Sequence, residues 1–308
     1  MIEFIEYCAF RFLHFLARLL PLKLVGKVGS ALGTCVFRCT SFRKTITLDN
    51  LARAFPELTE AGRRKIAWGA YRNYGIAIME MLWVANQPEE ELIRTVRITN
   101  RQVIDQRLEA ARGVIVLSGH YGGWEFLVQG LRLNIGKPFT MIVQRQRNKR
   151  IDEFIDRARA RFGNMTVSMG TQSARESLSA LRGGGILFLL GDQSAPKESV
   201  FVEFFGRPAA THRGAAALSL RTGAPIVMVF LVRKSDGIYD ATLEEVDQTG
   251  LDGYSEENIL ELTRRHTAVL ERWIRKHPDH WLWMHKRWKH TPPHQTQALV
   301  GEGRDATA

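Results

Sequence analysis

Short apolar runs separated by polar, helix-like stretches make up most of the chain beyond residue 100. Runs of this length, bounded by glycine or proline, are typical of buried strands in a mostly parallel sheet with crossover helices. The intervening segments near residues 149–163, 173–182 and 213–222 are amphipathic at helical spacing. Strands are predicted at GVIVLS from 113, FTMIV from 139, GILFLL from 185, APIVMVFLV from 224 and IYDATLEEV from 238.

Helical periodicity dominates the first hundred residues. Thr59 is a candidate N-cap for a helix that extends to Asn86, and a last helix is expected from about Ser255 to Lys276. No repeat or Pro, Gly or Ser-rich linker divides the chain. The fold class is therefore α/β, as a single domain over residues 41–293 with a central, mostly parallel sheet flanked by helices. A helical arm, 1–40, precedes this domain, and a polar tail, 294–308, is predicted to be disordered.

The helical arm is amphipathic, and its pattern fits two structures. It lacks an uninterrupted apolar run of about 18 residues, so a spanning helix is not supported, and Glu3 and Glu6 argue against a secretory signal. The arm is either a helix lying in a membrane interface or a helix docked on the protein's own core. The apolar residues that recur at helical spacing are Phe4, Ile5, Cys8, Phe12, Phe15, Leu16 and Leu19.

Composition adds a preference for anionic partners. The chain has 43 Lys and Arg against 32 Asp and Glu, a net charge of +11, which favours nucleic acid, a lipid surface or a phosphorylated substrate. Nucleic acid is the least supported of these partners, because acidic residues alternate with the basic ones and no nucleic-acid-binding module is recognisable. The cysteines, Cys8, Cys35 and Cys39, all precede residue 40. They are interpreted as small apolar helix residues, and the body of the chain has no cysteine for a disulfide or metal cage.

The stretch LSGHYGGWEF, residues 117–126, joins a predicted buried strand to reactive side chains. His120 lies at the carboxyl end of that strand, where α/β proteins gather their functional groups. If Gly122 and Gly123 fold the loop back, the Glu125 carboxylate can accept a hydrogen bond from one imidazole nitrogen, so that the other nitrogen of His120 acts as a general base. The glycine amides can donate to an anionic oxygen. The alternative is a histidine that only packs and hydrogen-bonds at a strand end.

Arg145 and Asp192 also follow predicted strands. Arg145 is the first of the basic residues in IVQRQRNKR. This cluster either binds a phosphate group or forms the solvated start of a helix. Asp192 has two possible roles: its carboxylate caps a turn, or it orients an arginine side chain. The segment after Asp192 is expected to expose Phe201, Phe204 and Phe205 beside charged residues.

The aromatic segment HWLWMHKRW, residues 280–288, has two interpretations. One is an interfacial belt, with indole rings at head-group depth and Lys286 and Arg287 on lipid phosphates. The other is core packing of Trp281, Trp283 and Trp288.

Other catalytic signatures are lacking: the sequence contains no G-x-S-x-G elbow, no H-E-x-x-H and no nucleotide-binding glycine loop after a strand.

Together these motifs resemble the bacterial lipid A biosynthesis acyltransferases, the lauroyl and myristoyl transferases of the lysophospholipid acyltransferase superfamily. The resemblance extends from about Phe42 to Pro292. Six features carry it in order: RKTITLDNLARAFPE at 43–57, LSGHYGGWEF at 117–126, Arg145, GDQSAPKESVFVEFFGRPAAT at 191–211, LRTGAPIV at 220–227 and WIRKHPDHWLWMHKRWK at 273–289.

The resemblance implies an H-x4-E catalytic pair of His120 and Glu125. His120 would deprotonate an acceptor hydroxyl, which attacks an acyl thioester without an acyl-enzyme, and Glu125 would orient and stabilise the imidazolium. Arg145 and Asp192 match functional family positions that bind the acceptor phosphate or organise charge.

The implied partners are acyl carrier protein or acyl-CoA as donor, a glycolipid acceptor such as a lipid A precursor, and membrane lipids at the cytoplasmic face of the cell inner membrane. The resemblance also implies that the helical arm, 1–40, is membrane-associated. No metal or cofactor is expected. The sequence leaves open another phospholipid or glycolipid acceptor, and a hydrolase that uses water instead. A catalytically silent lipid-binding protein is disfavoured, because His120, Glu125, Arg145 and Asp192 are all present.

Overall fold

The computed structural model describes residues 1–110, 112–195, 199–234 and 237–290. Its helices are α1 (Ile2–Leu19), α2 (Leu22–Cys39), α3 (Lys44–Ala54), α4 (Glu60–Val84), α5 (Glu89–Thr95), α6 (Gln102–Glu109), α7 (Trp124–Ile135), α8 (Lys149–Ala160), α9 (Thr171–Arg182), α10 (Gly214–Thr222) and α11 (Glu256–Lys276). Its strands are β1 (Val96–Ile98), β2 (Val114–Ser118), β3 (Phe139–Val143), β4 (Met165–Ser168), β5 (Ile186–Leu190), β6 (Ser199–Phe204), β7 (Arg207–His212), β8 (Ile226–Arg233) and β9 (Tyr239–Glu245).

A seven-stranded sheet forms the centre of the described chain, in the order β1-β9-β8-β2-β5-β3-β4. Its neighbouring strands are parallel, apart from the antiparallel pair β8 and β9. Strand β2 lies in the middle and is buried along its whole length, as its continuous apolar run requires. Strands β6 and β7 form a separate antiparallel hairpin. The predicted single α/β domain with a mostly parallel sheet flanked by helices is confirmed.

Helices α2 and α4 pack so closely that only glycine fits between them. A Cβ atom on Gly29 would lie 2.6 Å from the carbonyl oxygen of Gly75, and one on Gly33 would lie 2.1 Å from that of Tyr71. The start of α4 agrees with the sequence, because the Thr59 hydroxyl accepts the amide of Gly62 at 3.1 Å. The second half of the arm is therefore an integral part of the helical layer.

Helix α1 turns much of its apolar face away from the protein. Its more than half-exposed apolar side chains are Ile2, Phe4, Ile5, Phe12, Phe15 and Leu19. Cys8 is exposed on the same helix, as are Cys35 and Cys39 on α2. The other side of α1 is docked on the protein's own core, where Ala17 is buried and Phe10 and Leu13 pack against the core cluster. Among the described residues, every helix falls short of the length or apolar character that a bilayer crossing requires.

Two sequence expectations about aromatic and basic side chains are wrong. Phe204 and Phe205 are buried, at 0% and 5% exposure, because the β6–β7 hairpin folds its rings against the segment that follows α11. Arg287 is also buried, so its guanidinium is unavailable to lipid phosphates. The core interpretation holds for the indoles at the end of the described chain: Trp281 and Trp283 are buried, and Trp288 is half-buried. The predicted disordered tail, 294–308, lies outside the described residues.

Candidate active site

His120 and Asp192 meet at the carboxyl edge of the sheet. Strands β2 and β5 are parallel neighbours, with Ser118 opposite Leu190, so the loops that leave them start side by side. The His120 Nδ1 atom lies 2.8 Å from Asp192 Oδ1, and the His120 backbone amide donates to Asp192 Oδ2, also at 2.8 Å. One carboxylate thus fixes both the backbone and the ring of the histidine.

Asp192 is held as a buried anion by three donors. Besides the two groups of His120, the indole Nε1 of Trp281 donates to Asp192 Oδ2 at 2.8 Å, and the aspartate is only 2% exposed. Burial alone raises the pKa of this carboxyl, but the charge and hydrogen bonds of His120 and the Trp281 indole outweigh it and lower the pKa to about 2. Asp192 therefore remains ionised at neutral pH.

The imidazole of His120 is oriented for proton transfer through Nε2. With Asp192 ionised, Nδ1 carries the proton and donates, so Nε2 is left as the basic atom. Burial lowers the pKa of His120, whereas Asp192, with a smaller contribution from Glu125, raises it, and the net result is a raised pKa. The ring packs edge-on against Trp124, and the Gln193 amide nitrogen lies 3.4 Å from Nε2. About a fifth of the His120 side chain stays exposed.

Glu125 lies in the first turn of α7, as predicted, but its hydrogen-bond partner is on α8. Both carboxylate oxygens accept from Arg159, through Nε at 3.1 Å and through a terminal guanidinium nitrogen. The contact with the imidazole that was expected for Glu125 is made by Asp192, at Nδ1. Glu125 nevertheless acts on the imidazole through space, because its charge raises the pKa of His120.

The two glycines after His120 have different surroundings. Gly122 has a positive φ of 57°, its amide donates to the His280 carbonyl at 2.8 Å, and a Cβ atom there would lie 2.2 Å from the Leu231 carbonyl oxygen. The Gly122 amide is thus already occupied, contrary to its expected role toward an anionic oxygen. Gly123 precedes α7 as its N-cap, next to the helical amides that have no intrahelical acceptor.

Gly122→Ala is expected to lower the free energy of unfolding by about 1–3 kcal/mol, because the new methyl group meets both an unfavourable φ and a backbone oxygen. Urea denaturation followed by circular dichroism measures the loss. Gly223→Ala is the matched control, since Gly223 has a φ of 74° but nothing within 4 Å of a Cβ atom. Equal losses in the two variants would contradict a steric cost at Gly122.

Arg145 follows β3 as predicted, and its guanidinium is held by polar neighbours on α8 and β4. It donates to Asp156 and to the Ser168 hydroxyl, each at 2.7 Å, and lies 3.5 Å from Asp152. The side chain is 43% exposed, so part of the guanidinium is accessible. Within the described ranges, no cluster of His, Cys, Asp and Glu side chains is arranged to hold a metal ion.

A buried charged cluster lies beneath the loop that carries the glycines. Glu80 is fully buried on α4, where it accepts from the Tyr239 hydroxyl and lies 3.1 Å from the guanidinium of Arg233. Burial raises the pKa of Glu80 to about 7, against the opposing effects of Arg233 and Tyr239. A Cβ atom on Gly123 would lie 3.1 Å from the Tyr239 hydroxyl oxygen, so this cluster supports the start of α7.

Three residues of the site were missed by sequence analysis: Arg159, Gln193 and Trp281. Gln193 directly follows Asp192, which is its only local signal. The aromatic pattern around Trp281 indicates a membrane belt or core packing, and neither interpretation includes its indole N–H, which needs an acceptor when it is buried. Arg159 had no distinguishing signal within its basic helix.

Comparison with known proteins decides the family. A family model described as "Bacterial lipid A biosynthesis acyltransferase" matches residues 2–290. The chain belongs to this family. The recognition of the family from sequence motifs is confirmed, and the protein is an acyltransferase.

The chain is similar to several bacterial proteins, among them two that match over most of its length. It is 26% identical over 286 residues to the lipid A biosynthesis palmitoleoyltransferase of Escherichia coli K12, which covers 91% of this chain and 90% of the relative. It is 25% identical over 283 residues to the lauroyltransferase of the same organism, covering 89% and 88%. A shorter match, 29% identical over 127 residues and 40% of each chain, is to a phosphatidylinositol mannoside acyltransferase of Mycobacterium tuberculosis H37Rv.

Proposed function

We propose that this enzyme transfers a fatty acyl chain from an acyl thioester, carried by acyl carrier protein or coenzyme A, to a hydroxyl of a lipid A precursor or a related glycolipid. The observation that carries the proposal is the His120 imidazole, held at Nδ1 by the ionised Asp192 with Nε2 left basic. The names of the E. coli relatives support the lipid A acceptor.

The proposed reaction uses His120 first as a base and then as an acid. Nε2 takes the proton of the acceptor hydroxyl while its oxygen attacks the thioester carbonyl carbon. The tetrahedral intermediate collapses with cleavage of the C–S bond, and the leaving thiolate takes the proton from the imidazolium. Asp192 and Glu125 both stabilise the imidazolium, the former by direct contact and the latter through space.

The remaining site residues bind charge on the substrates. We assign the anionic oxygen of the intermediate to the amide of Gly123 and the first-turn amides of α7, because helix N-termini favour negative charge. The exposed part of Arg145 is assigned to an acceptor phosphate. Both assignments leave Glu125 bound to Arg159.

The enzyme is proposed to work at the cytoplasmic face of the inner membrane. The exposed apolar side chains of α1, including Phe4, Phe12 and Phe15, would insert at the level of the acyl boundary. The net charge of +11 favours anionic lipid head groups.

The test is an assay of purified protein in detergent micelles with labelled acyl carrier protein and acyl-CoA thioesters, with and without a lipid A precursor. Label is expected on the glycolipid only when the precursor is present, and the thioester consumed identifies the donor. Free fatty acid as the sole labelled product would replace the proposal with a thioester hydrolase. Consumption that requires a phospholipid instead would move the acceptor to another class.

A further inference from the structure

Helix α1 has a second face, which is bound to the region that carries Arg145. The Glu6 carboxylate lies 2.7 Å from the Arg147 guanidinium. The side-chain amide of Asn148 donates to the Glu3 carbonyl at 2.7 Å and lies 3.5 Å from Glu6 Oε2. Asn148 is 7% exposed and is the N-cap residue of α8, so the start of α8 is built partly on α1.

Aromatic contacts extend this face along α1. The rings of Phe10 and His14 both pack edge-on against Phe154 of α8, at centroid distances of 5.0 and 4.6 Å. His14 Nε2 also lies 2.7 Å from the side-chain amide of Asn86, after α4. Glu6, Phe10 and His14 are four residues apart and share one side of the helix. The exposed apolar side chains lie elsewhere on the helix, so α1 has separate faces toward solvent and toward α8.

The opposite end of α8 is bound to α7, the helix that carries Glu125. Arg159 binds both carboxylate oxygens of Glu125. The Gln129 side chain of α7 donates to the backbone carbonyls of Ala158 and Arg159, each at 3.0 Å. Asp156, one turn earlier, binds Arg145. A helix of 12 residues is about 18 Å long and stiff, so its start and its last turn cannot move independently.

We propose that Glu6 and Asn148 are positioning residues for acyl transfer: they fix α8 on α1, and α8 in turn places Arg159, Glu125 and Arg145. This inference rests on the proposed function. It makes α1 part of the active-site scaffold as well as a lipid-facing helix. An anchor alone needs only the exposed apolar face, whereas the inward face makes directional polar contacts with a buried asparagine.

The first experiment separates positioning from anchoring. Asn148→Ala is measured for acyl transfer in detergent micelles, where no bilayer is needed, and for binding to vesicles of phosphatidylethanolamine with phosphatidylglycerol. A fall in kcat of about ten- to a hundredfold is expected, with the donor KM and vesicle binding unchanged. The pH midpoint of kcat/KM should also move, because α8 carries Arg159, which lowers the pKa of His120, and holds Glu125, which raises it. Wild-type kcat in this variant would overturn the proposal.

The matched control is Glu153→Ala. Glu153 lies on the same helix, its side chain is 68% exposed, and it pairs only loosely with Arg157 at 3.9 Å. This variant loses a carboxylate from α8 without touching α1, and it should retain full kcat. A loss equal to that of Asn148→Ala would show that any change in α8 slows turnover, which contradicts a specific role of the α1 contact.

A charge exchange covers the case in which Asn148→Ala does not fold. Glu6→Arg and Arg147→Glu should each lower kcat, since each places like charges at the contact, and the double variant should recover it. Hydrogen exchange then tests the coupling independently of turnover: in each single variant, amides of α8 and of the first turn of α7 should exchange faster. Faster exchange confined to α1 would overturn the inference. A wild-type protein that transfers no acyl chain would defeat the proposed function, while the exchange result would still decide the coupling.

Discussion

His120→Ala is expected to reduce acyl transfer by about 10²–10⁴-fold or more, because the proposed reaction has no other base at the acceptor hydroxyl. The fold should survive, since Asp192 keeps its bonds to the residue-120 backbone amide and to the Trp281 indole. The measurement is turnover of labelled thioester with the lipid A precursor, with circular dichroism to confirm folding. Glu125→Ala is expected to lower transfer by a smaller factor, because the imidazolium loses the weaker of its two stabilising charges.

His277→Ala is the control for the loss of an imidazole outside the site. His277 follows α11 and contacts the rings of Trp273 and His280 rather than Asp192, so this variant should turn over at the wild-type rate. Wild-type turnover by a folded His120→Ala variant would contradict the proposed mechanism.

Asp192→Asn is expected to lower kcat/KM by about 10²–10⁴-fold and to move its pH dependence to lower pH. The sign follows from the protonation state that the base requires. Wild-type activity needs a neutral imidazole and so rises with pH through the pKa of His120, which Asp192 raises above its ordinary 6.5. Without this charge, burial and the nearby Arg159 lower the pKa. The residual activity should therefore reach its plateau at a lower pH, and the loss of rate arises from an imidazole held in the wrong tautomer.

Trp281→Phe is the companion variant for the Asp192 prediction. It removes one neutral donor from the carboxylate and leaves the charge and the bond to Nδ1 in place. Its kcat/KM should fall much less than that of Asp192→Asn, with a smaller shift of the pH midpoint. A midpoint unchanged in Asp192→Asn would show that Asp192 does not set the pKa of the catalytic base.

The fold was predictable where the buried side chains of an element form a clear apolar pattern in the sequence. The five predicted strands correspond to β2, β3, β5, β8 and β9, because each carries a continuous or alternating apolar run. Strand β1 has only three residues, and β4 lies at the sheet edge with no buried side chain, so neither leaves a pattern to detect. The burial of Phe204 and Phe205 has no local signal, because the rings that cover them, Trp281 and Trp283, lie much further along the chain.

The sequence pattern singles out His120, Glu125 and Asp192, but it does not indicate which of these side chains are paired in the structure. His120 and Glu125 are close in sequence, which favoured a bond between them, whereas Asp192 is 72 positions from His120. Only the adjacency of β2 and β5 in the sheet brings the aspartate to the imidazole, and strand order is not encoded in local periodicity. The same holds for Arg159, whose identity as the partner of Glu125 depends on how α8 crosses α7.

The Trp281 indole on Asp192 also has a consequence for the timing of biosynthesis. The segment after α11 closes the catalytic loop from outside: the His280 carbonyl accepts from Gly122, and the Leu282 amide donates to the His120 carbonyl. A nascent chain that has been translated only as far as α11 already contains His120, Glu125 and Asp192. It still lacks the contacts that His280, Trp281 and Leu282 make with them and with Gly122. The contacts that Trp281 and Leu282 make with this loop can therefore form only after helices α1 to α11 have been translated.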